Sequence, residues 1–200
     1  MKTTALFAEV LVVGLVGLVW LVLLLMILPG LNVNVGELLK LLSKHSFLSG
    51  VLLTALAYCF GVMIDRIADI IFDDWDHRRI RKKHFDVKEV KFTVARMKIL
   101  HRGGDDVDFL HYQRSRIRIA RASVLNFILI ALTASILLFE KSAQGASMVL
   151  LLGFVLTLAT LYSWHSISRA YYRRLGDAYR LSLIEDEELF RKFESEKRAV

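Results

Sequence analysis

Asp65, Asp69 and Asp73 stand four residues apart in the stretch GVMIDRIADIIFDDWDHRRIRKK, which runs from Gly61 to Lys83. On a helix that spacing puts three carboxylates on one stripe, and His77 extends it by another turn. Carboxylate oxygens in a row suit a hard divalent cation such as Mg²⁺. The stretch also follows directly on an apolar run, so the same charges fit an ion path or a helix leaving a membrane. Further on, Arg114, Arg118 and Arg121 in RSRIRIARA are spaced i, i+4, i+7. They form a basic helix face complementary to the acidic one, and a charge interface is the third chemistry to weigh.

The metal reading has a local pattern behind it. Gly61-x3-Asp65-x3-Asp69 resembles the latter half of the signature of membrane CDP-alcohol phosphotransferases, whose aspartates bind metal ions. The resemblance implies a metal-dependent membrane phosphotransferase with Asp65 and Asp69, and by stripe Asp73, as ligand candidates. It covers three positions; the upstream half, an Asp-Gly followed by Ala-Arg, would fall in HSFLSGVLLTA and is absent. Arg79-x4-His84 and Arg96-x4-His101 similarly fit the loose R-x4-6-H pattern of HEPN ribonucleases, with Ile80 and Met97 where a polar residue often follows the Arg. His101 and His111 flank a Gly-Gly turn with no thiolate near them. The sequence holds no Walker loop, GxSxG elbow, HExxH or paired CxxC motif. The expectation is a protein without a catalytic site, resident metal or cofactor.

The elements that position these charges decide between the remaining readings. The chain is 55% hydrophobic yet 24% charged, and the two kinds of residue are segregated into long uncharged runs and dense charge clusters. That is the pattern of an all-α integral membrane protein. Four runs are long enough to span: about 6–28, interrupted only by Glu9, then 47–64, 122–139 and 146–164. Of 27 Lys and Arg, 23 fall on one side of these spans and 3 on the other, with Arg66 at the edge. The positive-inside rule then places the N-terminus, the central loop and the tail in the cytoplasm, in an inner or plasma membrane. Trp75 and Trp164 fall near that interface. Small residues (Gly14, Gly17, Gly50, Thr54, Ala57, Gly153, Thr157) offer close helix approaches. Cys59, the only cysteine, reads as a small buried hydrophobe.

Depth along the helix converts the acidic stripe into a pairing. Residues 47–64 cover about 27 Å at the helical rise, so Asp65 emerges at the membrane edge rather than at its centre, where a charge costs at least about 2.5–3.5 kcal/mol. Arg121 marks the same edge on the third span. Matching depths predicts a charge zipper of Asp65 with Arg121, Asp69 with Arg118 and Asp73 with Arg114. His165, Arg169 and Arg173 are a rival basic stripe. The cluster Arg78, Arg79, Arg81, Lys82 and Lys83 follows the span directly and suits anionic headgroups. Nucleic acid fits less well, because aromatics are not interleaved with these charges.

The organisation expected is therefore a first transmembrane hairpin over 1–72 with an outer interfacial helix at about 35–45 (Leu38, Leu39, Leu41 and Leu42 on its apolar side), a basic helical cytoplasmic loop over 73–121, a second hairpin over 122–164 and a charged helical tail over 165–200. In the loop, Val87, Val90, Val94 and Met97 recur at helical spacing. Gly103 and Gly104 end that helix, and Asp105 or Asp106 caps the next. Gly176 is a weak point in the extension of the fourth span. The functional expectation is a membrane scaffold, sensor or assembly partner acting through charged cytoplasmic helices, with a cytoplasmic protein or a homo-oligomer as partner. The alternative is a small homo-oligomeric channel or membrane-perturbing effector.

Overall fold

A computed structural model describes residues 3–28, 35–44, 46–85 and 91–199. Among the described residues, seven α-helices follow one another: α1 (Thr3–Ile27), α2 (Val35–Lys44), α3 (Ser46–Trp75), α4 (Lys82–His84), α5 (Phe92–Arg102), α6 (Asp105–Phe139) and α7 (Ala143–Ala199). A π-helical turn, Asp76–Arg81, joins α3 to α4. Among the described residues there is no strand. Four helices are long and apolar enough to cross a membrane, lying within α1, α3, α6 and α7. Only 17–33% of their most apolar windows is buried within the chain, so most of that surface has no cover from the protein itself. The chain divides into two compact units, one of residues 1–73 and 115–164, the other of 74–114 and 165–200.

The first unit is built on a close helix crossing. A side chain at Gly14 would collide with the Ala57 carbonyl, and one at Gly61 with the Val10 carbonyl. Only hydrogen allows the two backbones to approach this closely. Val13, Ile64 and Ala122 pack beside the crossing, with Phe60 against them. Asn126 is buried there, and polar burial is tolerated only with partners. Its amide donates to the Val13 carbonyl at 3.0 Å, and its oxygen accepts from the Trp20 indole N–H at 3.2 Å. Thr133 and Thr157 hydroxyls donate to carbonyls one turn back, and Ser135 reaches both the Ala131 and Ala146 carbonyls. The last of these joins α6 to α7 beside the close approach of Gly153 to the Ala131 methyl. Phe72 packs edge-on against Trp164 at 5.1 Å. Gly50, by contrast, has open space where a side chain would stand, and Cys59, expected inside, is exposed.

The second unit has its own core. Ile80, Phe85, Ala95, Ile99, Leu110, Leu175 and Ala178 are buried, and Phe85, Phe92, Tyr172 and Tyr171 form a chain of edge-on rings 5.2–5.6 Å apart. The Tyr172 hydroxyl donates to Asp76 in the π-helical turn. Burial, and then the nearby Asp76 charge, push the Tyr172 phenol well above its ordinary range. Gly103 and Gly104 both take positive φ (76° and 90°), and this is the turn that reverses α5 into α6. Phe92 of α5 meets Tyr172 and Arg102 meets the Ser182 carbonyl, so α5 runs parallel to α7.

Three details differ from the sequence reading. The central-loop helix starts at Phe92, with Lys91 extended (φ −61°, ψ 134°); Val87 and Val90 lie outside the described residues. Its buried stripe is Ala95 and Ile99, whereas Val94 and Met97 are 54% and 66% exposed. The ring of Phe92 joins the aromatic core and turns the helix by that amount. Gly176 does not interrupt α7. The outer helix is present as α2, but the side chains of Leu38, Leu39, Leu41 and Leu42 lie outside the described residues, as does the Pro29–Gly30 segment.

Candidate functional site

Buried positions on α3 recur as Ala57, Gly61, Ile64, Asp65, Ala68 and Phe72, a helical stripe of small and large apolar residues that also carries a carboxylate. Asp65 is 8% exposed. An isolated carboxylate there would be untenable, and the arginines of α6 answer it. The Arg118 Nε donates to both Asp65 oxygens at 3.2 Å, and its Nη2 donates to Oδ2 at 2.5 Å. One turn further along α3, Asp69 accepts from Arg121 Nη2. The guanidinium fork thus holds Asp65 in bidentate fashion, which fixes orientation as well as charge.

Four of the six zipper residues come together, but with partners exchanged relative to depth matching: Asp65 takes Arg118 and Asp69 takes Arg121. Depth matching assumes that side chains meet at the height of their own Cα atoms. An arginine stem reaches further than one helical turn, about 5.4 Å, so the direction each residue faces around its helix decides instead. Crossing the two pairs leaves the mean alignment of α3 and α6 unchanged. Asp73 is exposed at the end of the first unit, and Arg114 belongs to the second. The rival stripe turns on itself: Arg169 and His165 lie 3.0 Å apart.

Glu9 of α1 is the member that sequence reading passed over. Together with Val10, Val13, Asp65, Arg118 and Ile119 it lines a small niche, and its charge acts on Arg118. The niche offers about 10 Å³ of free space, room for a water at most. The signal was present: Glu9 is the only charge inside an otherwise uncharged span, three residues in from its inner end. α1, α3 and α6 are therefore joined by a cluster of Glu9, Asp65, Asp69, Arg118 and Arg121. Its chemistry is ionic clamping. The Asp65 and Asp69 carboxylates proposed as metal ligands are engaged by guanidinium groups, and no group of three or more metal-ligating side chains occurs among the described residues.

Of the headgroup candidates, Arg79, Lys82 and Lys83 are exposed, and the Arg78 side chain lies outside the described residues. Arg81 packs inward with its guanidinium 5.1 Å over the Phe92 ring, a cation–π contact that keeps it within the unit.

A second ionic cluster fastens α5 to α7. Lys98 pairs with Asp186 at 2.5 Å, and Arg102 with Glu185 at 2.6 Å; Arg102 also donates to the Ser182 carbonyl at 3.2 Å. The hydrogen bond from Lys98 holds the Asp186 carboxyl below its usual range. A depressed carboxyl contributes stability that is complete above the ordinary carboxylate range, near pH 4, and disappears as pH falls through the lowered value. Amide protection in residues 92–102, measured relative to the intrinsic exchange rate at each pH, is therefore expected to fall below about pH 4, and an Asp186→Asn variant to show the lower protection already at neutral pH.

Compared with family models, with curated proteins and with solved structures, the chain matches none of them.

Proposed function

We propose that the chain is a multi-pass membrane scaffold. Its first unit sits in the inner or plasma membrane, both termini are cytoplasmic, and the second unit is a cytoplasmic docking body for a protein partner or another copy. The observation that carries this reading is how the polar groups are distributed. In the first unit Asn126, Thr133, Ser135 and Thr157 are hydrogen-bonded within the protein, and Asp65 and Asp69 are clamped. Polar groups engaged in this way make a bundle cohesive and give one chain little with which to line a water path. The second unit keeps an aromatic core of its own and a charged surface, as a docking body would. A small oligomeric channel or membrane-perturbing effector is the second reading, favoured by the charge cluster around Asp65.

Two measurements on reconstituted protein test this. Liposomes carrying the full chain are expected to hold a K⁺ gradient as well as empty ones. A leak that an Asp65→Asn variant abolishes would establish the channel instead. In a Cys59→Ser background, a Lys83→Cys variant should react with impermeant maleimide only from the cytoplasmic face and a Glu37→Cys variant only from the other. The reverse pattern overturns the orientation.

A further inference from the structure

One face of α7 changes character along its length. Leu151, Val155, Leu158 and Tyr162 are exposed and recur at i, i+4, i+7 and i+11, a single helical stripe. Continued at the same period, the stripe reaches His165, Arg169 and Arg173, and both arginines are exposed. The helix is unbroken from Ala143 to Ala199, and no acidic residue occurs in it before Asp177. A face that suits hydrocarbon therefore becomes a cationic one within two turns. Elsewhere in the chain the cations are put to structural use. Arg118, Arg121, Lys98, Arg102 and Arg174 each pair with a carboxylate, and Arg81 lies over the Phe92 ring. Arg169 and Arg173 have no carboxylate partner among the described residues.

Distance along the helix sets where these charges act. Arg169 stands five residues past Trp164, about 7.5 Å of helical rise. Its Nη2 lies 3.0 Å from His165 Nε2, which draws the guanidinium back by a turn, almost to the end of the apolar run. Long helical side chains lean toward the N-terminus, which brings Arg173 in behind it. Headgroups occupy roughly 5–8 Å on each side of the hydrocarbon core. We propose that Arg169 and Arg173 clamp the headgroup phosphate of an anionic phospholipid in the cytoplasmic leaflet, with the stripe from Leu151 to Tyr162 against its acyl chains. Guanidinium forks match phosphate oxygens in bidentate fashion. With no acid before Asp177, this face keeps a net positive charge that selects an anionic lipid over a zwitterionic one. Arg79, Lys82 and Lys83, by contrast, come after a π-helical turn and do not continue the line of a span. This inference rests on the membrane reading.

The test is electron spin resonance of the full chain reconstituted with spin-labelled phosphatidylglycerol or phosphatidylcholine, which reads the relative affinity of the protein surface for each lipid. The unmodified chain is expected to prefer phosphatidylglycerol. Each arginine beside an anionic headgroup is worth roughly a fivefold preference, so Arg169→Gln with Arg173→Gln should remove most of it. Arg169→Lys with Arg173→Lys should keep part, since charge remains and the fork is lost. Lys82→Gln with Lys83→Gln should leave the preference largely unchanged. All four positions are exposed, and unchanged helix content by circular dichroism checks that each variant folds. No preference in the unmodified chain, or a preference lost with Lys82 and Lys83 rather than with the arginines, would overturn the proposal. So would displacement of the lipid by inorganic phosphate but not by chloride at equal ionic strength, because the clamp would then serve a free anion. A chain that alkaline carbonate strips from the vesicles would overturn the membrane reading and the clamp together; an inserted chain without preference overturns the clamp alone.

Discussion

An Asp65→Ala variant should lose about 3 kcal/mol of stability in the first unit, measured by reversible unfolding in mixed micelles. Removing one member of a buried ion pair leaves the other charged and desolvated, an effect of about 3–5 kcal/mol when burial is complete. The Arg118 side chain is 28% exposed and Asp65 11%, so the lower end applies. Asp65→Leu combined with Arg118→Met removes both charges while keeping apolar bulk, and should recover most of the loss, as buried pairs replaced by hydrophobes commonly do. The pairing itself has a sharper test. Exchanging charges as Asp65→Arg with Arg118→Asp preserves one pair and leaves Asp69 with Arg121. Exchanging them as Asp69→Arg with Arg118→Asp sets an aspartate against Asp65 and an arginine against Arg121, two like-charge contacts. The first double variant should assemble and the second should not. The opposite result would restore the depth-matched pairing and refute the crossed one.

That contrast shows what was legible in the sequence and what was not. The four apolar helices could be read directly, because runs without charge are rare by chance and periodicity is unnecessary to see them. The Gly103–Gly104 break was equally plain, since two adjacent positive-φ residues admit little else. Depth made the basic stripe of α6 a candidate partner for the acidic stripe of α3, beside the rival stripe of His165, Arg169 and Arg173. Which charge meets which could not be read, because rotation about the helix axis is set by packing at Gly61 and Ile64, which the charge pattern does not reveal. Glu9 was hidden for a related reason: its importance lies in sharing a niche with Arg118, a residue more than a hundred positions on. The second unit was the least legible part. Its core rests on Phe85, Phe92, Tyr171 and Tyr172, aromatic residues in a strongly charged stretch where no long apolar stripe announces them. Val94 and Met97 carried the more obvious pattern and proved to be surface.

Glycine substitutions should separate the close helix crossing from its surroundings in a fixed rank order. Gly61→Ala and Gly14→Ala each place a methyl group into backbone carbonyl, of Val10 and Ala57 respectively. Backbone cannot rotate aside, so α1 and α3 must part. Overpacking of this kind destabilises by about 1–3 kcal/mol or more. Gly17→Ala meets only the side chains of Ile64 and Phe60, which can change rotamer, and should cost less. Gly50→Ala meets nothing within 4 Å; there the helix propensity of Ala over Gly, up to about 1 kcal/mol, should leave the protein unchanged or slightly more stable. Thermal unfolding of the four variants in one detergent measures the order. Equal effects at Gly61 and Gly50 would mean that α1 and α3 do not touch. The crossing and the ion cluster are also coupled, since Gly61 precedes Asp65 by one turn and Val10 follows Glu9. Once Gly61→Ala has parted the helices, Arg118 and Asp65 are open to water and their pairing contributes little. Adding Asp65→Ala to Gly61→Ala should therefore cost clearly less than Asp65→Ala alone. Full additivity, the behaviour of independent sites, would show that the glycine contact does not hold the charge cluster in place.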